Sequence, residues 1–138
     1  MEQGTERPTL RRILYVEDDL DIQLIVQLAL QSVGGYQVEL CASAIEAIDR
    51  VQVSCPDLIL MDVMMPDMDG VQLLQALRQR PETGSIPVIF VTAKVQGRDL
   101  AQYRRLGALD VIVKPFDPMR LSEDIARAWT RHHERRQR

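Results

Sequence analysis

The stretch "DLILMDVMMPDMDG", residues 57–70, decides the fold. Leu58, Ile59, Leu60 and Met61 form an unbroken apolar run of strand length, set off by Pro56 on one side and a Pro/Asp/Gly-rich turn on the other. Such a run suits a strand buried on both faces of a parallel sheet. Asp62 stands directly on its end. A carboxylate there must be paired, solvated or bound to a cation, because an unpaired buried charge is very costly.

Outward from this strand, apolar runs alternate with helix-period segments five times. "RILYVE" (12–17) reads as strand one. Residues 20–33 read as a helix with apolar positions 22, 25, 26, 29 and 33, closed by Gly34-Gly35. "YQVELC" (36–41) is strand two, and Ser43 with Glu46 makes a capping box that opens helix two. After the loop 63–69 comes helix three, then the nearly all-apolar "VIFVTA" (88–93) as strand four. Leu100, Tyr103 and Leu106 mark helix four, and "DVIVK" (110–114) is strand five. Asp117-Pro118 provides an N-cap and a first-turn proline for helix five, with Leu121, Ile125, Ala128 and Trp129 on one face.

Five βα units predict an α/β domain with a doubly wound five-stranded parallel sheet. The expected organisation is an N-terminal extension over 1–10, one domain over 11–132 and a basic C-terminal tail over 133–138. The 138 residues are 46% hydrophobic and 27% charged with a net charge of −3, so no general affinity for nucleic acid is expected. No apolar stretch approaches the ~20 residues that span a bilayer, and the first twelve residues lack the apolar centre of a signal peptide. A cytoplasmic location follows as an expectation, with Cys41 and Cys55 reduced.

In open α/β sheets, ligands bind beyond the carboxyl ends of the strands, where the strand order reverses. Strand one ends in Glu17-Asp18-Asp19, strand three in Asp62, strand four in Thr92 and strand five in Lys114. Asp19 is expected to cap helix one. The remaining acids would repel one another unless joined by a cation, and Mg²⁺ suits carboxylate sites that leave positions for phosphate oxygens. In sequence these acids have no lysine neighbour. A carboxylate can also act as a nucleophile and accept a phosphoryl group as an acyl phosphate. Charge neutralisation and alignment are what that transfer needs most.

In order and spacing, "ILYVEDD" (13–19), "DLILMDVMMPDMDG" (57–70), "VIFVTA" (88–93) and "VIVKPF" (111–116) resemble the receiver domain of two-component response regulators. The resemblance covers 11–132 and implies a flavodoxin-like (βα)5 fold with sheet order 2-1-3-4-5. It implies that Asp62 is the phosphoacceptor and that Asp18 is a direct Mg²⁺ ligand, with Glu17 acting more through water. Met64 would offer its backbone carbonyl to the metal, Thr92 its hydroxyl to the phosphoryl group, and Lys114 its ammonium to a phosphoryl oxygen. Lys114 is then expected to matter little to the fold before phosphorylation. Pro66 and Gly70 match the turn after the acceptor, and a cis peptide is implied at Lys114-Pro115.

The implied function is that of a phosphoacceptor rather than an enzyme, with Mg²⁺-assisted self-phosphorylation and self-dephosphorylation. It would be charged by a histidine kinase or a histidine phosphotransfer protein, and would switch binding to an output partner that the sequence does not identify. A phosphorelay intermediate is the nearest alternative. An aspartyl-phosphate phosphohydrolase would have a second aspartate where Met64 stands. A flavodoxin-like cofactor domain would have a phosphate-cradling loop where "EDDLD" stands, and a purely unphosphorylated interaction module leaves the acids, Thr92 and Lys114 without a role. Two departures from the family pattern are present. Val111 occupies a strand-five position where the family usually has an aromatic ring, and the chain ends after helix five, so no output domain is expected.

Among the remaining residues, Met61, Met64, Met65 and Met68 are expected to pack rather than bind metal. His132 and His133 fall in an expected frayed tail. The arginines at 131, 135, 136 and 138 favour a helix C-terminus. The face made by helix four, strand five and helix five, with Tyr103 and Arg104 exposed on it, is the expected partner face and a candidate homodimer face. Signal would reach it through Thr92 and the loop 93–98, where Gly97 can absorb backbone change.

Overall fold

Two separate cores form because the central strands present apolar side chains on both faces. The computed structural model describes residues 9–93 and 96–136. Strands β1 (Arg12–Val16), β2 (Gln37–Cys41), β3 (Leu58–Met61), β4 (Val88–Thr92) and β5 (Asp110–Val113) make one parallel sheet in the order β2-β1-β3-β4-β5. Helices α1 (Leu20–Leu28), α2 (Ala44–Ser54), α3 (Gly70–Arg78), α4 (Gly97–Arg105) and α5 (Leu121–Arg136) cover it. Leu14, Val16, Ile59, Met61, Val88 and Phe90 join α2, α3 and α4 in one core. Ile13, Tyr15, Leu58, Leu60, Ile89 and Val91 join α1 and α5 in the other. All of β3 and β4 is buried, as expected of strands covered on both faces. The doubly wound α/β architecture and the 2-1-3-4-5 order are those expected from the sequence.

Local details depart from the sequence reading where tertiary contacts intervene. In α1 the buried side chains are Gln23 and Val26, followed by Ala29 and Leu30, whereas Ile25 and Val33 face outward. Leu20, Leu24 and Leu28 are exposed as well. Apolar residues surround this helix, so periodicity alone could not choose its buried face. Its end widens into a π-helical turn over Ala29–Val33. The turn closes with Gly35 at φ 76° while Tyr36 N–H donates to Leu30 O, a left-handed stop that glycine accommodates without strain.

Capping also runs between elements. Ser43 accepts from Glu46 N–H as expected, but the Glu46 carboxylate reaches back to Ala42 N–H rather than to Ser43. Asp67, in the loop after β3, accepts from Ala44 N–H and Ile45 N–H and so caps α2 from a distance. Burial works against its charge, yet these backbone donors and that of Met68 outweigh it and hold the carboxyl below its usual range. Asp117 accepts from Met119 N–H in the turn that leads into α5, one turn ahead of the helix itself. The residues expected as a frayed tail belong to α5, which runs to Arg136 and holds His133 Nδ1 3.0 Å from Trp129 O. Residues 1–8, 94–95 and 137–138 lie outside the described residues, and with them most of the N-terminal extension and the middle of the loop 93–98.

Candidate functional site

The carboxyl ends of the strands bring the predicted residues to one edge. Register places β1 between β2 and β3, so the residues following Val16 and Met61 emerge side by side. Asp62 N–H donates to Val16 O at 3.0 Å, which fixes the start of the β3–α3 loop against the end of β1. One carboxylate oxygen from each of Glu17, Asp18 and Asp62 lies within 4.8 Å of the others. Among the described residues this is the one such grouping of His, Cys, Asp and Glu side chains, and it excludes His132 and His133. Glu17 and Asp62 are buried, whereas Asp18 is exposed.

The structure corrects the reading of Lys114. The acids have a lysine neighbour after all: Lys114 Nζ lies 2.7 Å from Glu17 Oε1 and 3.1 Å from Asp62 Oδ2. Burial disfavours the ammonium, but its hydrogen bonds to the two carboxylates, together with their charges, outweigh that and raise its pKa above the ordinary lysine value. This geometry runs against the expectation that Lys114 matters little before phosphorylation, since the ammonium already sits on two buried carboxylates. The peptide bond at Lys114-Pro115 is cis, as the resemblance implied.

Other groups hold the acids in place. Asp62 Oδ1 accepts from Met64 N–H at 3.1 Å, which folds the loop back over the carboxylate. Gly70 makes this loop possible, because a Cβ there would lie 2.6 Å from Asp62 O and 2.9 Å from Val63 Cα. Thr92 ends β4 with its side chain buried, and its carbonyl accepts from Lys114 N–H at 3.0 Å. Two supporting residues escaped the sequence reading. Gln23 donates through Nε2 to the carbonyls of Glu17 and Cys41, tying α1 to the ends of β1 and β2. Its signal was a polar residue on the Gln23–Val26–Leu30 stripe of a helix. Tyr15 donates its hydroxyl to Glu17 Oε1 at 2.8 Å, and burial with the nearby acids raises its pKa.

The donor set fits a hard divalent cation. Three carboxylates face one ammonium, an excess of negative charge at a site whose exposed member, Asp18, leaves a route in from solvent. The response regulator receiver domain family matches residues 13–126. This chain belongs to that family.

As a receiver domain it is 40% identical over 106 residues to the response regulator Rre1 of Synechocystis sp., covering 77% of this chain and 46% of that protein. It is 37% identical over 111 residues to the phosphate regulon transcriptional regulatory protein PhoB of Escherichia coli, covering 80% of this chain and 48% of that one. The chain thus spans about half the length of these curated relatives. Among solved structures, the receiver domain superposes on the chemotaxis response regulator CheY4 of Vibrio cholerae with a TM-score of 0.80 at 31% identity, over 87% of this chain and 99% of that one. A response regulator from Desulfuromonas acetoxidans gives 0.79 at 32% identity, over 87% and 97%.

The receiver domain's fourth helix corrects one expectation and sharpens another. Tyr103 is buried rather than exposed on a partner face, and its ring meets Phe90 edge-on at a centroid distance of 5.0 Å. Phe90 is in register with Val111 on β5. A ring therefore packs beside this part of the sheet from α4 where the family usually supplies one from strand five. Arg131 and Arg104 both approach Asp110, at 3.0 and 4.0 Å, so the α4–β5–α5 face is laced by charge pairs. Of the four clustered methionines, Met61 and Met65 are buried and Met68 packs on the core, while Met64 is exposed beside the acids. Cys41 and Cys55 are free thiols, and burial pushes Cys41 up to about 12. Among the described residues no helix is long and apolar enough to cross a membrane.

Proposed function

We propose that this chain accepts a phosphoryl group on Asp62 from a phosphohistidine and thereby switches the binding of a partner protein. The observation that carries this reading is the setting of Asp62: a buried carboxylate at the sheet edge, 3.1 Å from Lys114 Nζ and grouped with Glu17 and Asp18. An Asp62 carboxylate oxygen attacks phosphorus, the P–N bond to the imidazole breaks, and its electron pair stays on the ring nitrogen. Lys114 turns to a phosphoryl oxygen and neutralises developing charge. The Thr92 hydroxyl donates to another. Asp18, Asp62 and the Met64 carbonyl would hold Mg²⁺, with Glu17 acting through water. The metal would supply charge neutralisation for the transferring group. Attack by water on the phosphoryl group breaks the bond from phosphorus to the Asp62 oxygen, which releases inorganic phosphate and restores the carboxylate.

The donor is a histidine kinase or a histidine phosphotransfer protein, and the setting is cytoplasmic. Support for a docking helix comes from the exposed apolar side chains of α1 (Leu20, Leu24, Ile25 and Leu28). Next to them an apolar cleft of about 330 Å³ lies between α1 and the β5–α5 loop, lined by Ile22, Ile25, Pro115 and Phe116 together with Lys114. Exposed apolar area that borders a reactive group suits transient docking. The same architecture would serve a phosphorelay intermediate, which passes the group from Asp62 to a second histidine.

The test is intact mass after incubation with acetyl phosphate and Mg²⁺. One phosphoryl group is expected on the wild type and none on Asp62→Asn. An unchanged gain in that variant overturns the assignment.

A further inference from the structure

The buried Glu17 carboxylate is already served by three protein donors. Oε1 accepts both the Tyr15 hydroxyl at 2.8 Å and Lys114 Nζ at 2.7 Å, and Oε2 accepts Asp19 N–H at 3.2 Å. Glu17 is 1% exposed, so bulk solvent has little access to Oε1, the oxygen that Lys114 shares with Tyr15. Lys114 is the mobile member of this set, because its ammonium ends a flexible stem and is shared with Asp62. Tyr15 is the fixed member. Its ring is fully buried in the α1–α5 core, and packing there sets where the hydroxyl points. The hydroxyl is the one polar atom of this buried side chain, and it meets Glu17 Oε1.

We propose that Tyr15 is a positioning residue that keeps Glu17 Oε1 hydrogen-bonded while Lys114 swings from Glu17 to the phosphoryl group. The inference rests on the receiver reading of Asp62 and Lys114 given above. Leaving a buried acceptor without a donor is costlier than exchanging one donor for another. With the Tyr15 hydroxyl in place, Glu17 retains a partner on the vacated oxygen and the movement of Lys114 becomes cheaper. Without it, Lys114 is the single side-chain donor to Oε1 and is held back. Tyr15 itself does not touch the transferred group.

The experiment uses the full 138-residue chain and its Tyr15→Phe variant, which removes one oxygen and keeps the ring. Two affinities are measured: Mg²⁺ alone, and beryllofluoride at saturating Mg²⁺ as the phosphoryl mimic. In Tyr15→Phe, beryllofluoride should bind about three- to ten-fold more weakly, the net scale of one ordinary hydrogen bond, since Lys114 can still return to Oε1. Mg²⁺ affinity should not fall, since Lys114 still serves Oε1 in that state. An equal loss of both affinities would mean a packing role and would overturn the inference, as would no change in either. Failure of the wild type to bind beryllofluoride would instead overturn the receiver reading, and this inference with it. A second measurement covers a variant that folds poorly: the ¹³Cζ resonance of Tyr15 in the wild type should stay that of a hydrogen-bonded phenol when beryllofluoride binds. A shift to that of a free phenol contradicts the proposal.

Discussion

Lys114 and Glu17, 97 positions apart in the chain, form a buried ion pair with Nζ 2.7 Å from Oε1. The same ammonium reaches Asp62, so it ties the ends of β1 and β3 to the residue that follows β5. Removing one partner of such a pair leaves uncompensated buried charge. Lys114→Ala should therefore lose about 3 kcal/mol of stability in urea unfolding without metal. Mg²⁺ should restore part of it, giving the variant a larger metal-induced rise in Tm than the wild type. The pH dependence has a definite sign. Folding raises the Lys114 pKa above 10.5, so its contribution is complete below that pH and is lost as pH climbs through the folded value. The stability gap between wild type and Lys114→Ala should hold through the neutral range and close only above about pH 10.5. A gap that closes near neutrality would refute the pairing.

Asp18 offers a cleaner probe of the cation. It is exposed, whereas Glu17 and Asp62 are buried and paired. Asp18→Ala should leave the unfolding midpoint without metal within about 0.5 kcal/mol of the wild type. It should also reduce the stabilisation by millimolar Mg²⁺, as read by thermal melts with and without metal. An undiminished Mg²⁺ response places the ion elsewhere.

Gly70 sits under the acceptor loop with no room for a methyl group. The obstacles to a Cβ are backbone atoms of Asp62 and Val63, at 2.6 and 2.9 Å, and these cannot rotate away. Gly70→Ala should cost about 3 kcal/mol, within the range for overpacked sites, and should slow phosphorylation by acetyl phosphate. A variant with wild-type stability and labelling rate would show that the loop has slack.

Asp67 links the acceptor loop to the N-terminus of α2. Loss of a capping carboxylate costs about 1 kcal/mol, so Asp67→Ala should lower the urea midpoint at neutral pH. Folding depresses this carboxyl below 3.8, so its contribution is present above that pH and disappears as pH falls through the folded value. The difference between wild type and variant should shrink in acid below about pH 4. A difference that persists unchanged at lower pH would assign the effect to something other than the charge.

The readout of phosphorylation should reach α4 without a strand-five ring. Val111 is stiff at χ1, and the ring beside Phe90 belongs to Tyr103 of α4. Amide exchange with and without beryllofluoride and Mg²⁺ should change at Thr92, Gly97 and the first turns of α4. Changes confined to α1 and α2 would rule this route out.

Much of this was legible in one dimension because it depends on local pattern. Buried parallel strands read as apolar runs, turns as Gly, Pro and Asp, and the acids, Thr92 and Lys114 each stand at the end of a run of strand length bounded by turn residues. Helical faces were legible where polar residues flank an apolar stripe, as in α5, but not in α1, where Leu20, Leu24, Ile25 and Leu28 make the helix apolar nearly all round. Tertiary structure decided what depends on distance in space. Whether Lys114 meets solvent or Glu17, whether Asp67 caps its own turn or α2, and whether Tyr103 points out or onto Phe90 are settled by how the layers pack. The hydroxyl of Tyr15 and the amide of Gln23 belong to the same class. Each looks like a core residue in sequence, and only the packed sheet edge gives its polar atom the Glu17 carboxylate or carbonyl that a buried donor requires.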